Sequence, residues 1–204
     1  MIFEQIATGG CQSYLVGCAQ TCVAALNDPA LSQVHHYRAR AARNGVRTRY
    51  VVDTHTHADH FSATKELARQ LQVPVVMHRK SPAPFVDMRL ADGEMLVVGK
   101  LRLAALHTPG HTADSMCLVV EDRVFTGDTL LIGGTGRTDL PSGDPEQLYD
   151  SLFNKLLKLD PALKVYPAHD YKGRSHSTIG DELAANPRLQ KRKRGEFLDM
   201  VRQL

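Results

Sequence analysis

Three histidines and an aspartate fall within six residues in the run Asp53-Thr54-His55-Thr56-His57-Ala58-Asp59-His60. Imidazole nitrogens bind Zn²⁺ and Fe²⁺, and a carboxylate adds a charged oxygen ligand. The run follows the apolar stretch Tyr50-Val51-Val52, which reads as a buried strand delivering a metal-binding loop to one edge of a sheet. A lone His-x-His is a weak signal. Here three further segments carry the same residue types: His111 in Thr108-Pro109-Gly110-His111-Thr112, Asp128 in Phe125-Thr126-Gly127-Asp128-Thr129, and His169 in Tyr166-Pro167-Ala168-His169-Asp170. Each follows or closes a short apolar run, Leu101 to Leu106, Val124-Phe125 and Leu163 to Tyr166. Each therefore lies where a strand ends and a loop begins, the place where a rigid scaffold holds catalytic groups.

The elements that position these segments can be read from patterning. Strand-like runs recur at Ile2-Ala7, Tyr14-Gly17, Cys22-Leu26, Arg49-Val52, Val75-Met77, Met95-Val98, Leu101-Leu106, Met116-Val120 and Val124-Phe125. Helical patterns occupy Pro29-Asn44, Ser62-Gln72, Pro145-Leu159 and Ile179-Ala185. Strands interleaved with helices indicate a mixed α/β domain. Asp144-Pro145 is a helix start, with Asp144 as cap and Pro145 in the first turn.

At 204 residues the chain is expected to form a single domain over 1–204, with length enough for a sizeable core. A net charge of +3 gives no argument for nucleic acid. No stretch approaches the roughly 20 apolar residues of a membrane span, and the first residues lack a basic start followed by an apolar signal region. A cytoplasmic protein is expected. The cysteines Cys11, Cys18, Cys22 and Cys117 are expected to be free thiols, with Cys22 and Cys117 as buried strand residues. His35, His36, His78, His107 and His176 lack the motif setting and read as surface or satisfied histidines. Lys191-Arg192-Lys193-Arg194 reads as the solvated face of a terminal helix.

Taken together, His-x-His-x-Asp-His with a distant His, Asp and His resembles the metallo-β-lactamase superfamily. That resemblance implies a four-layer αβ/βα sandwich with a metal site at the sheet edge. Four further motifs narrow it: Gly127-Asp128-Thr129-Leu130-Leu131-Ile132, Gly136-Arg137-Thr138-Asp139, Pro167-Ala168-His169-Asp170-Tyr171 and Asn186-Pro187-Arg188. Their combination is similar to the persulfide dioxygenase (sulfur dioxygenase) family. The family implies oxidation by O₂ of a low-molecular-weight persulfide, usually glutathione persulfide, to sulfite and free thiol. It also implies one Fe²⁺ per chain held by His55, His111 and Asp128, a face that leaves positions open for sulfur and O₂. His57, Asp59, His60 and His169 are then expected around the ligands, orienting them and tuning the metal. Arg137 is the expected substrate contact, because a guanidinium forks onto a carboxylate and glutathione carries two; the alternative is a structural ion pair with Asp139 or another buried acid. Tyr171 is expected to reach the substrate through its hydroxyl, and Asp139 is a candidate partner for one of the site histidines or a turn cap. Lys172 and Arg174 add positive charge near the mouth, where each is a solvated surface residue or steers an anion. A homodimer and a rhodanese-type sulfurtransferase acting in the same pathway are further expectations of the resemblance.

The competing enzyme reading is a dinuclear, Zn²⁺-type hydrolase like glyoxalase II, acting on a glutathione thioester. There His55, His57 and His111 bind one metal, Asp59, His60 and His169 the second, and Asp128 bridges them, giving a clamped hydroxide nucleophile. Against it, little chain follows His169 to build that family's longer helical substrate region. A non-catalytic binding module is a third reading, opposed by the intact ligand set. Gly133-Gly134-Thr135-Gly136 lacks the spacing of a phosphate cradle; it reads as a flexible loop passing close to the site, where glycine permits tight backbone approach. The short Pro-rich connection Ser81-Pro82-Ala83-Pro84-Phe85-Val86-Asp87-Met88 leaves the thiol carrier open between glutathione, coenzyme A and another small thiol.

Overall fold

A computed structural model of the chain describes residues 1–57, 62–190 and 193–203. In chain order its elements begin with β1 (Ile2–Thr8), β2 (Cys11–Cys18), β3 (Val23–Asn27), α1 (Val34–Arg43), β4 (Arg47–Val52), α2 (Thr64–Leu71), β5 (Val75–His78), β6 (Met88–Leu90) and β7 (Met95–Val98). There follow β8 (Leu101–His107), β9 (Met116–Val120), β10 (Arg123–Gly127), β11 (Leu130–Leu131), β12 (Gly134–Thr135) and α3 (Pro145–Asp150). The last are β13 (Lys164–Pro167), β14 (Ser177–Thr178), α4 (Ile179–Ala185) and α5 (Arg194–Val201).

Two six-stranded sheets result, ordered β1-β2-β3-β4-β5-β6 and β14-β13-β10-β9-β8-β7, with β11-β12 as a separate hairpin. Strand period sorts the side chains into layers, because successive residues point to opposite faces. From β4, Tyr50 and Val52 enter a cluster with Leu103, Met116, Leu118 and Phe125 of the other sheet. Val51, between them, joins Val34, Tyr37 and Leu67 under α1 and α2. The second sheet repeats the arrangement: Cys117, Val124 and Val165 face Leu148, Leu152, Ile179 and Phe197 of the C-terminal helices. Helices, sheet, sheet and helices make the αβ/βα sandwich.

Strand boundaries lie close to the patterning, but β6, the β11-β12 hairpin and β14 carry too few residues to register as a pattern. The first helix starts later than expected: Ala30 bridges to Ser62, a single 3-10 turn covers Leu31–Gln33, and α1 begins only at Val34. Asp144 caps α3 through the amides of Glu146 and Gln147. The helical path then continues through a π turn (Ser151–Lys155) and a 3-10 turn (Leu156–Lys158). Cys117 is buried as expected, but Cys22 is exposed, held at φ 52° in the turn before β3. That turn ends one residue later than the apolar run suggests. None of the four cysteines is in a disulfide. Lys191 and Arg192 lie outside the described residues, while Arg194 of α5 pairs with Glu146 and Asp150.

The sheets also meet through two rings. His78 at the end of β5 stacks on His107 at the end of β8, centroids 3.9 Å apart and planes 6° apart. Burial first, then the His107 ring, hold the His78 imidazole down to about 4, whereas an unfolded histidine titrates near 6.5. Between those values the unfolded chain binds more protons than the folded one, so this group's contribution to stability falls as pH drops from about 6.5 to about 4, by up to about 3 kcal/mol. Urea unfolding of the wild type and of His78→Gln is expected to show the wild type losing ground to the variant across that window. A constant difference would remove His78 as its source.

Candidate metal centre

The motif segments converge from both sheets. His55 follows β4 of the first sheet; His111 follows β8, Asp128 follows β10 and His169 follows β13 of the second. β10 and β13 are parallel neighbours, so Asp128 and His169 emerge side by side from the same edge. His169 Nδ1 lies 2.8 and 2.9 Å from the two oxygens of Asp128 and donates to that carboxylate. Asp128 Oδ2 in turn lies 3.8 Å from His55 Nε2 and 3.6 Å from His111 Nε2.

Each of those imidazoles presents Nε2 for a definite reason. His111 Nδ1 donates to the backbone carbonyl of Arg137 at 2.8 Å. The Thr54 hydroxyl gives its hydrogen to Asp28 Oδ1 at 2.9 Å, so it can only accept from His55 Nδ1, 3.0 Å away. Both rings therefore carry their proton on Nδ1 and an electron pair on Nε2, the form a metal requires. His55 Nε2 is buried and makes no hydrogen bond among the described residues. Burial first, then the neighbouring His57 ring, hold His55 well below the usual histidine range and keep it neutral. Burial works against the Asp128 charge, but the His169 donation and the nearby rings outweigh it and hold the carboxyl well below its usual range. His55, His111 and Asp128 donors all lie within 4.8 Å of one another. Metal–ligand bonds of about 2.0–2.2 Å set neighbouring donors roughly 3–3.6 Å apart, so a small inward shift closes the set on an ion. The residues fit a metal.

His57 lies against His55, ring centroids 4.2 Å apart, and its donor atom lies within 4.8 Å of those of Asp28 and His55 as well. Its side chain is 2 % exposed, with Nε2 3.4 Å from Asp28 and 3.6 Å from Asp53. Burial opposes its charge, but the two carboxylates overcome this and raise it well above the usual range. Asp59 and His60 lie outside the described residues.

Three carboxylates missing from the sequence reading hold this loop. Asp28, at φ 47° after β3, accepts from the Thr54 amide at 2.7 Å as well as from its hydroxyl. Asp53 accepts from Ser62 and Thr64 at the start of α2. Asp114 accepts from Thr56 Oγ1 and Thr112 Oγ1, both at 2.7 Å, and so ties the first histidine loop to the His111 loop. Asp28 had one legible mark: like the motif residues, it closes an apolar run, Val23 to Leu26.

The glycine-rich segment is a pinned hairpin and not a flexible loop. Buried Glu182 accepts from the Gly133 amide at 2.8 Å and from Asn186 Nδ2 at 2.7 Å. Asn186 also donates to the Gly134 carbonyl, and Arg188 to Thr135. The Asn186-Pro187-Arg188 motif thus acts on this hairpin, which leads straight into Gly136 and Arg137. A Cβ on Gly136 would lie 2.0 Å from the Asp128 carbonyl and 3.0 Å from His111 Nδ1, so only glycine allows the chain to pass the site this closely.

Arg137 and Asp139 are exposed and form a forked ion pair with each other. The Asp139 carboxylate is spent on Arg137 and not on a site histidine. Tyr171 is 74 % exposed, its ring parallel to that of His169 at 6.0 Å and resting on Gly10. Arg174 is likewise exposed, its guanidinium donating to the Ile132 carbonyl.

The sequence profile of the Metallo-beta-lactamase superfamily matches residues 80–169. The mitochondrial persulfide dioxygenase ETHE1 of Mus musculus is 37 % identical over 180 residues, covering 87 % of this chain and 70 % of its own. The chain belongs to the persulfide dioxygenase family. The crystal structure of ETHE1 from Myxococcus xanthus superposes with a TM-score of 0.96 at 40 % identity, covering 99 % of this chain and 90 % of that one. This persulfide dioxygenase family member is also 40 % identical, over a shorter span of 134 residues, to a hydroxyacylglutathione hydrolase of Anaeromyxobacter dehalogenans; the match covers 65 % of this chain and 52 % of the hydrolase. Among the described residues no helix is long and apolar enough to cross a membrane.

Proposed function

We propose that this chain is an Fe²⁺-dependent dioxygenase that converts glutathione persulfide, or a similar small persulfide, and O₂ to sulfite and free thiol. The observation that carries the reading is the convergence of two Nε2 atoms and one carboxylate oxygen, with His57 engaged by other carboxylates and His169 spending Nδ1 on Asp128. Three donors on one side are a facial set and leave the other positions to exogenous ligands. Iron held there supplies the electron exchange with O₂ that Zn²⁺ lacks.

The protein's own part is positional. The Asp28–Thr54–His55 chain and the Arg137 carbonyl fix both imidazoles, and His169 fixes the carboxylate. Such outer partners hold the ligand tautomer and orientation. Arg137 and Tyr171 stand exposed beside this edge, where a carboxylate-bearing thiol carrier would meet them. Asp139 holds the guanidinium until an incoming carboxylate competes for it.

Oxygen consumption by anaerobically iron-loaded protein on adding glutathione persulfide, with metal content measured on the same sample, tests the reading. Oxygen uptake with sulfite release at one iron per chain supports it. Two metals per chain with hydrolysis of S-lactoylglutathione and no oxygen uptake would replace it with the hydrolase.

Arg137→Ala is expected to raise KM for glutathione persulfide roughly 5- to 150-fold, the scale of losing a charged hydrogen bond. Iron content should not change, because the contact to His111 is made by the backbone carbonyl of Arg137. An unchanged KM would take the side chain out of the substrate site.

A further inference from the structure

A second concave site lies at the opposite end of β4 from His55. It is a groove of about 790 Å³ between α1, α2 and the start of β4, within the size range of small-molecule sites. Arg38, Arg47 and Arg49 line it together with Thr48, Gln70 and Gln72, and no aspartate or glutamate does. Leu71, Pro74 and Met88 give it an apolar wall.

The three groove arginines are exposed, and their charge is left unbalanced where that of neighbouring arginines on α1 and α2 is not. Arg40 and Arg43, on the same helix as Arg38, both pair with Glu4, and Arg69 of α2 pairs with Glu66. Among the described residues, none of the three groove arginines pairs with a carboxylate; Arg49 only donates to the Tyr50 hydroxyl and lies 5.5 Å from that ring. The carbonyl ends of α1 and α2 also lie on this side. They offset part of the positive field, but each counts for about half a charge against three full guanidinium charges. Guanidinium groups fork onto phosphate or carboxylate, and the apolar wall suits the body of an organic molecule.

We propose that this groove binds an organic polyanion of nucleotide or coenzyme size. Its anionic groups sit on Arg38, Arg47 and Arg49, and its apolar part sits against Leu71, Pro74 and Met88. The site is separate from the metal centre, since β4 enters at Arg47 beside the groove and leaves at Val52 toward His55. Ligand and persulfide substrate can therefore be bound together.

The test uses iron-loaded full-length protein and 8-anilinonaphthalene-1-sulfonate, a probe with an aromatic body and one anionic group. Saturable fluorescence is expected, with displacement by ATP if phosphate is the preferred head group and by sebacate, a dicarboxylate with an apolar body, if carboxylate is. Arg38→Ala/Arg47→Ala should weaken probe binding at least tenfold while leaving persulfide oxidation unchanged; if that variant misfolds by circular dichroism, Arg47→Gln serves. Methyl resonances of Met88 should shift on titration with the displacing anion. Equal probe affinity in wild type and variant would overturn the proposal. So would displacement by neither small anion, including the case where only an acidic polypeptide such as poly-glutamate displaces the probe.

Discussion

Asp128→Ala is expected to strip the metal centre and lower oxygen uptake by more than about 100-fold, beyond the 10- to 100-fold typical of losing an outer partner alone. The carboxylate is the one anion among the three converging donors, so without it two neutral imidazoles face a divalent ion. The substitution also strands the His169 Nδ1–H, which the fold buries at 2 % exposure, at a cost of about 1–3 kcal/mol for an unsatisfied donor. Metal analysis and urea unfolding of the same preparation separate the two effects. Retention of full metal content would remove Asp128 from the ligand set, whatever happened to turnover.

The second large effect belongs to a residue that need not touch the metal. Asp28 is 2 % exposed, takes both Thr54 donors and faces His57 Nε2 at 3.4 Å. Asp28→Ala breaks a buried charged network and leaves Asp53 as the remaining carboxylate against His57 among the described residues, for which up to about 3 kcal/mol is expected, below the roughly 3–5 kcal/mol of a buried charge left with no partner. It also forces an alanine to φ 47°, a conformation aspartate tolerates better. Asp28→Asn keeps that backbone tolerance and an acceptor for Thr54 but removes the charge. Its metal affinity, measured by competition with a chelator, is expected to fall about tenfold, because a neutral amide oxygen accepts from Thr54 more weakly than a carboxylate and the orientation of His55 slackens. Wild-type affinity in the asparagine variant, together with wild-type stability, would show that Asp28 merely fills a turn.

The contrast between these two residues explains what a sequence can disclose. Asp128 is legible because it stands in a motif after an apolar run, in an ordered set with other metal-ligating types. Asp28, Asp53 and Asp114 act as single carboxylates, and a lone aspartate in a loop looks the same whether it caps a turn or holds a ligand. Their partners are distant in sequence: Asp28 and Thr54 are 26 residues apart, and Asp114 and Thr56 are 58 apart. The two-layer core was legible for a related reason. Strand period at β4 already divides Tyr50 and Val52 from Val51, whereas two-residue strands such as β11 and β12 carry no period. The glycine-rich hairpin looked mobile because its restraints come from Glu182 and Asn186, about fifty residues later in the chain. Arg137 and Asp139 were both picked out and their mutual ion pair was one of the two readings of Arg137; the structure shows that pair.

His55 belongs to one sheet, while His111, Asp128 and His169 belong to the other. During synthesis the first sheet is complete at Leu90, before any donor of the second sheet has left the ribosome. At that stage the nascent chain offers an ion only the histidine loop and its carboxylates. The set of His55, His111 and Asp128 is complete only once the second sheet has docked, so an ion held by those three donors also ties the two sheets to each other.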